Sequence, residues 1–333
     1  MADVPETRIF SADEAIARLR GAAHPKAVNF YAMYSSVLGG IVTDPALMVV
    51  PLDDHMVHRG HAVFDTATLV SGMLYQLDPH LERLLRSAEM ARIPLPFPPQ
   101  QLRRIIIDTA AASGRRDGSV RYWLSAGPGG FGIAPTECVG SSFYAIVFKA
   151  ESYPDSFYTE GMKVVTSTVP IKPPFFARLK SNNYLPNVLV MIEAKERGAD
   201  NGIFIDQRGM VAEGSIMNVG FVTKERVFLH PSFEAVLSGI TVQRVFSLAR
   251  RLVEQGELKD VVIADVSVAE GQRAAEMMLI GSSIKIAPVV QWDGKPIGDG
   301  KPGPIAKKLL HLWHEDVQTA TDQLVPVPYP KAG

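Results

Sequence analysis

Leu179-Lys180-Ser181-Asn182-Asn183-Tyr184-Leu185 is the stretch on which the reading of this chain turns. Its lysine sits among small polar residues, and a tyrosine follows. Taken singly, a lysine is ordinarily a solvated surface group. A reactive one needs a pocket, because burial or a neighbouring cation is what strips its amine of a proton near neutral pH. The weight of Lys180 therefore depends on what stands around it.

Downstream, Glu213-Gly214-Ser215 places an isolated acid in a turn between short strands. Ser238-Gly239-Ile240-Thr241 opens the clearest helix of the chain, Thr241 to Gln255, whose Val242, Val245, Phe246, Ala249, Leu252 and Val253 form one apolar stripe. Free backbone N–H groups at such a helix start, with a glycine for close approach and a threonine hydroxyl, make a phosphate cup; alone, the same residues are also a plain N-cap. Gly281-Ser282-Ser283 is a second small-residue turn, and Arg59, followed by Gly60, is a candidate phosphate clamp. One amine, one acid and two phosphate-type turns are the parts needed to hold pyridoxal phosphate, a cofactor that carries the hard chemistry itself.

Away from these residues the chain reads as α/β. Strands are expected at 28–34, 46–50, 119–124 and 143–149, and amphipathic helices at His80 to Arg92 and around Leu102 to Ala110. A Pro154-containing stretch at 151–161 reads as a linker between a smaller N-terminal domain (1–150) and a larger C-terminal one (162–333), as the length of 333 residues leads one to expect. Strands follow at 163–168, 203–205, 218–222 and 226–229, with a helix from Pro186 to about Arg197 and another around Ile305 to Trp313. The tail, VPVPYPKAG, reads as too proline-rich to be regular.

Composition excludes several classes. The hydrophobic fraction is 47%, the charged fraction 21% and the net charge -1, so broad electrostatic capture of nucleic acid or membrane is not expected. No apolar run reaches the ~18 residues of a membrane span. Cys138 is the only cysteine, which rules out an intrachain disulfide and a cysteine zinc cluster. His55, His58 and His61 flank Arg59 in a loop with no readable carboxylate support, and no metal is expected. The N-terminus resembles neither a secretory signal nor a transit peptide, so a cytoplasmic address is expected, or a plastid one if a transit segment preceded this sequence.

The order of the pieces carries a resemblance. HRGHAVFDT (58–66), HLERLLRSA (80–88), LKSNNYLPNVL (179–189), VAEGSIMNV (211–219), LSGIT (237–241) and MMLIGSS (277–283), with DGKPGPIAKKL (299–309), make the chain similar to the fold type IV pyridoxal-phosphate enzymes. RYWLSAGPG (121–129) and the KSNNYLPN variant resemble the plant-type D-amino acid transaminases and, more broadly, the (R)-selective amine transaminases. The resemblance implies two α/β domains with an active site between them, completed at a homodimer interface. It implies Lys180 as the Schiff-base lysine and general base, and Glu213 facing the pyridine nitrogen. Arg59, Gly239, Ile240, Thr241 and Ser282 would hold the phosphate, with Leu237 on the ring and Tyr184 and Ser215 lining the site.

The expected reaction moves an amino group from a D-amino acid such as D-alanine, or from an (R)-amine, to a 2-keto acid. Aminodeoxychorismate lyase and branched-chain L-amino acid aminotransferase are the rival readings within the family. The Arg-x-His carboxylate trap of bacterial relatives is absent from the Gly129-Gly130-Phe131-Gly132 loop. Arg121 is then the alternative carboxylate ligand, with Phe64, Phe131 and Ser283 as further substrate contacts; Phe64, where relatives often carry a tyrosine, would favour apolar donors.

Overall fold

The computed structural model describes residues 6–22, 24–150 and 152–330. Two β-sheets organise the described residues. The first contains β1 (Phe30–Ser35), β2 (Gly40–Val42), β3 (Ala62–Val70), β4 (Met73–Tyr75), β5 (Gly118–Ser125) and β6 (Ser142–Phe148). The second contains β7 (Met162–Thr166), β8 (Asn201–Ile205), β9 (Val211–Gly214), β10 (Asn218–Val222), β11 (Val227–His230), β12 (Asp260–Ile263), β13 (Glu276–Gly281), β14 (Lys285–Trp292) and β15 (Lys295–Pro296). One more strand, β16 (Leu324–Pro326), belongs to the first sheet.

The first sheet runs β16-β4-β3-β5-β6-β1-β2. Its β3 alternates strictly: Val63, Asp65, Ala67 and Leu69 are buried, whereas Phe64, Thr66 and Thr68 are half-exposed. A two-residue period of this kind points successive side chains to opposite faces. The buried face is covered by the helices Leu77–Met90 and Pro99–Ala112, whose Leu81, Leu84, Leu102 and Ile106 enter one core with Val63, Val120 and Leu124. Each fully buried leucine there contributes about 1.5–3 kcal/mol relative to exposure. The other face of β3 and β5 looks into a cleft.

The second sheet runs β12-β11-β10-β13-β14-β7-β8-β9 and also pairs β9 with β10 through Glu213 and Asn218. That pairing closes β10-β13-β14-β7-β8-β9 into a barrel, with Met217, Val219, Met277, Leu279 and Trp292 among its core residues. The helices Ile240–Glu254 and Pro304–Thr319 pack together outside it.

Three local expectations change. Residues 45–47 form a short 3-10 helix rather than a strand, because Pro45 sits at its start and Asp44 accepts the Ala46 N–H. Residues 324–326 of the tail are a strand, paired antiparallel with β4; Pro326 is tolerated because β16 is the edge of its sheet. Residue 151 of the expected linker lies outside the described residues, and Ser156–Thr159 within that stretch is a short helix.

Candidate active site

The cleft between the first sheet and the barrel has a volume of about 370 Å³ and draws on both. Lys180 enters it because the 180–182 segment lies along β3: the Phe64 N–H donates to the Lys180 carbonyl (2.8 Å) and the Asn182 N–H to that of Ala62 (3.0 Å). The Lys180 Nζ stands 4.5 Å from the Phe64 ring centre and donates to the Tyr184 hydroxyl at 3.2 Å. Burial, reinforced by the Arg83 charge, lowers its pKa to about 8. Burial raises that of Tyr184 to about 12.

Glu213 sits at the barrel closure. Burial pushes its carboxyl up to about 7, against the Lys172 charge and the Leu237 N–H, which donates to it at 3.3 Å. Ser215, two residues on, is buried under Asn201, whose side chain accepts the Ser215 N–H (3.0 Å) and donates to its hydroxyl (3.0 Å). Asn187 donates to the Ser215 carbonyl as well. This amide network fixes the turn that aims Glu213 into the cleft.

The third corner is the start of the 15-residue helix Ile240–Glu254. Its N-cap is Gly239, and no side chain among the described residues caps it. A β-carbon at Gly239 would strike Asn218, which donates to the Leu237 carbonyl at 2.9 Å. Ile240 and Thr241 thus present first-turn N–H groups to the cleft, and the Thr241 hydroxyl lies 3.1 Å from that of Ser282. A helix this long, uncapped and opening on a cavity, calls for an anion at its end. A phosphate there, an amine of lowered proton affinity and a buried carboxyl fit pyridoxal phosphate at its three polar extremities.

The expected residues Lys180, Tyr184, Glu213, Ser215, Leu237, Gly239, Ile240, Thr241, Ser282, Phe64, Arg121 and Ser283 all line this cleft. Arg121 opposes Thr66 across β5 and β3, and its Nε donates to the Thr66 hydroxyl at 3.0 Å. Its guanidinium lies over both Phe64 (5.6 Å) and Phe148 (5.4 Å).

Arg59 and Phe131 do not line it. Arg59 follows the short helix His55–His58 and turns outward. There its Nε donates to the Gly132 carbonyl (2.9 Å) and its Nη2 to that of Phe131. Phe131 is exposed and rests against the His58 ring. The two residues meet each other on the outside of the loop, not Lys180.

The arginine beside the helix start is instead Arg83, inside the HLERLLRSA segment. It is buried and donates side-on to Asp65, with Nε and Nη2 each 2.7 Å from a carboxylate oxygen. The His80 Nδ1–H donates to the same carboxylate at 2.8 Å, and the Arg83 Nη1 donates to the Ser238 carbonyl at 3.1 Å. Burial favours the neutral acid, yet Arg83 and His80 hold the Asp65 carboxyl far below its ordinary range. Of five guanidinium N–H groups, three are thereby used, and one remains on each Nη beside the helix start. The signal in the sequence was a charge at i+3 from His80 on a helix whose neighbours Leu81 and Leu84 are core.

Comparison with known proteins identifies the family. The model described as Amino-transferase class IV matches residues 62–292. A chloroplastic D-amino-acid transaminase of Arabidopsis thaliana is 56% identical over 305 residues, spanning 90% of this chain and 80% of that protein. A putative branched-chain-amino-acid aminotransferase of Methanocaldococcus jannaschii is 28% identical, over 85% of this chain and 96% of its own length. In fold, the T.th. branched-chain amino acid aminotransferase, solved with pyridoxamine 5'-phosphate, superposes with a TM-score of 0.82 at 24% identity, covering 90% of this chain and 99% of that one. The chain belongs to the class IV aminotransferases of fold type IV, pyridoxal 5'-phosphate enzymes that pass an amino group from a donor to a 2-keto acid.

Proposed function

We propose that the donor is a D-amino acid, with D-alanine as its simplest representative, and that (R)-amines are accepted beside it. The observation that carries this reading is the Lys180 amine between the Phe64 and Tyr184 rings, with Arg121 behind Phe64. The hand of the donor is supported by the Arabidopsis relative, whose name specifies D-amino acids.

When bound, the cofactor supplies an aldehyde for the donor nitrogen and a protonated ring that takes up the electrons left as the donor loses its α-proton. Arg83, with the Ile240 and Thr241 N–H groups and the Thr241 and Ser282 hydroxyls, would hold the phosphate. Glu213 would keep a proton on the ring nitrogen, and Leu237 would lie beside the ring. Lys180, as a free amine, would hold the donor's α-proton on its Nζ as the general base of the exchange. Its lowered pKa keeps a useful fraction of that amine neutral near pH 8. Arg121 orients the donor carboxylate by a fork of N–H groups, while the Phe64 and Phe148 faces suit an apolar side chain.

The working unit in this reading is a homodimer. On the helix Leu185–Glu196, the residues Leu185, Val188, Leu189 and Ile192 form an exposed apolar stripe, the inverse of a monomeric surface helix. Phe175 and Phe176 extend it.

The test is spectroscopic. Protein loaded with the cofactor should lose its visible band on adding D-alanine and keep it with L-alanine, and Lys180→Ala should neither form the band nor turn over. A preference for L-leucine or L-valine would overturn the donor assignment.

A further inference from the structure

The first sheet and the helices outside the barrel meet at a buried polar joint away from the cleft. Tyr75 ends strand β4, yet its ring is buried among the core residues of the helices Ile240–Glu254 and Pro304–Thr319, edge-on to Trp313 at 5.9 Å. Its hydroxyl donates to the Asp316 carboxylate at 2.6 Å. Asp316 is buried on the helix Pro304–Thr319, and Arg244 donates to both of its oxygens, through Nε at 2.8 Å and Nη2 at 2.5 Å.

Arg244 stands on the helix that opens on the phosphate cup, four residues after Ile240 and three after Thr241. On a helix these spacings put it on the same side as both, one turn below their N–H groups. Tyr75 has a matching relation to Arg83. The helix Leu77–Met90 starts two residues after Tyr75 and carries Arg83, whose Nη1 donates to the Ser238 carbonyl just ahead of the cup at 3.1 Å. The segment from Tyr75 to Arg83 therefore grips the phosphate helix at two points, through Asp316 and Arg244 below the cup and through Ser238 above it. The segment after the Asp316 helix returns to the same place: the Gln76 N–H donates to the Gln323 carbonyl at 2.7 Å, and β16 pairs with β4.

A buried ion pair adds little net stability, because desolvation offsets its attraction. Its charge-assisted bonds are short and strict in geometry, and here they fix two packed elements relative to each other. That matters for a phosphate gripped from both sides, by Arg83 and by the helix start, since hydrogen bonds weaken steeply once stretched or bent. We propose that Tyr75, Asp316 and Arg244 are positioning residues for the cofactor phosphate, setting the gap between Arg83 and the start of the Ile240–Glu254 helix. This rests on the phosphate site given under the proposed function, and not on the hand of the donor.

The experiment compares two ligands on cofactor-free protein. Pyridoxal phosphate and pyridoxal are titrated separately and followed by absorbance, without turnover. Tyr75→Phe keeps the ring against Trp313 and the Arg244–Asp316 pair, and cuts only the link to β4. Arg244→Met keeps Tyr75 on Asp316 and frees the phosphate helix. Each should weaken pyridoxal phosphate about fivefold to tenfold, the low end of the coupling between distinct sites, and leave pyridoxal unchanged. Arg244→Lys should restore part of the loss. By reciprocity, inorganic phosphate should raise the melting temperature of wild type more than that of either variant. Both ligands weakened alike, or neither weakened, overturns the proposal; the joint would then be a brace, felt in the melting temperature alone. Thr241→Val is the reference for the phosphate site itself. If it separates the two ligands and Tyr75→Phe does not, the site stands and the joint falls; if neither does, both fall. Tyr75→Phe strands no charge, so it decides the matter should Arg244→Met fail to fold.

Discussion

Asp65→Asn strips one partner from a fully buried ion pair, and the outcome follows from what it leaves behind. Asp65 accepts two 2.7 Å bonds from Arg83 and one of 2.8 Å from His80, and Asp65 itself is wholly buried. The amide keeps the volume but leaves the Arg83 charge uncompensated in the core. Removing one member of such a pair costs about 3–5 kcal/mol. Denaturant unfolding of the cofactor-free protein at pH 7 should show a loss of that size, and Arg83→Met combined with Asp65→Leu should recover much of it, because an apolar pair of similar volume is near neutral.

The phosphate supplies a second readout. It would give the stranded guanidinium a new counter-charge, so pyridoxal phosphate should stabilise Asp65→Asn more than wild type. The pH dependence has a definite sign. The Asp65 carboxyl is depressed in the folded protein. Its contribution is therefore complete above the unfolded value of about 3.9 and is lost as the pH falls below that toward the folded value. The acid limb of the stability curve should flatten in the variant. A loss under about 1 kcal/mol, the worth of an exposed pair, would refute the buried-pair reasoning; equal stabilisation of both proteins by the cofactor would refute the placement of phosphate on Arg83.

Two further outcomes are expected. Capture of pyridoxal phosphate by the cofactor-free protein should accelerate as pH rises through about 8, where Lys180 loses its proton, and stopped-flow absorbance should shift that midpoint upward in Arg83→Met, which removes the largest neighbouring positive charge. Thr241→Val and Ser282→Ala should each weaken pyridoxal phosphate binding by about tenfold, as expected for a lost hydrogen bond to a charged group; titration with pyridoxal, which lacks the phosphate, should show no difference from wild type.

The legible parts of the fold were those with a local cause. The apolar stripe of the Ile240–Glu254 helix and the β5 and β6 strands were visible as periods in the chain, and the Lys180, Glu213 and Thr241 neighbourhoods as segments whose order matched a family. What escaped depended on pairing between distant segments. Arg59 and Arg83 both stand in segments that looked functional, and nothing in their spacing says which one reaches the cleft. The difference is that the Leu77–Met90 helix lies on β3, bringing Arg83 to Asp65, whereas Arg59 meets the Phe131 and Gly132 carbonyls outside. Asp316 was silent for the same reason: only the folded chain brings it between Tyr75 and Arg244. The β16 strand escaped because its proline content argues against regular structure, and only its edge position and its partner β4 make it one.

That strand has a consequence for how the protein is made. Strand β4 is completed early in synthesis, yet its outer partner leaves the ribosome after the entire barrel. Until then the N-terminal half has an open edge of unpaired N–H and C=O groups, an invitation to pair with another nascent chain. Early folding of the first sheet therefore runs ahead of its own protection. A tag or truncation placed at the far end of the chain should be felt first in the solubility of the half that contains β3, long before it reaches the barrel to which, by sequence, it is nearest.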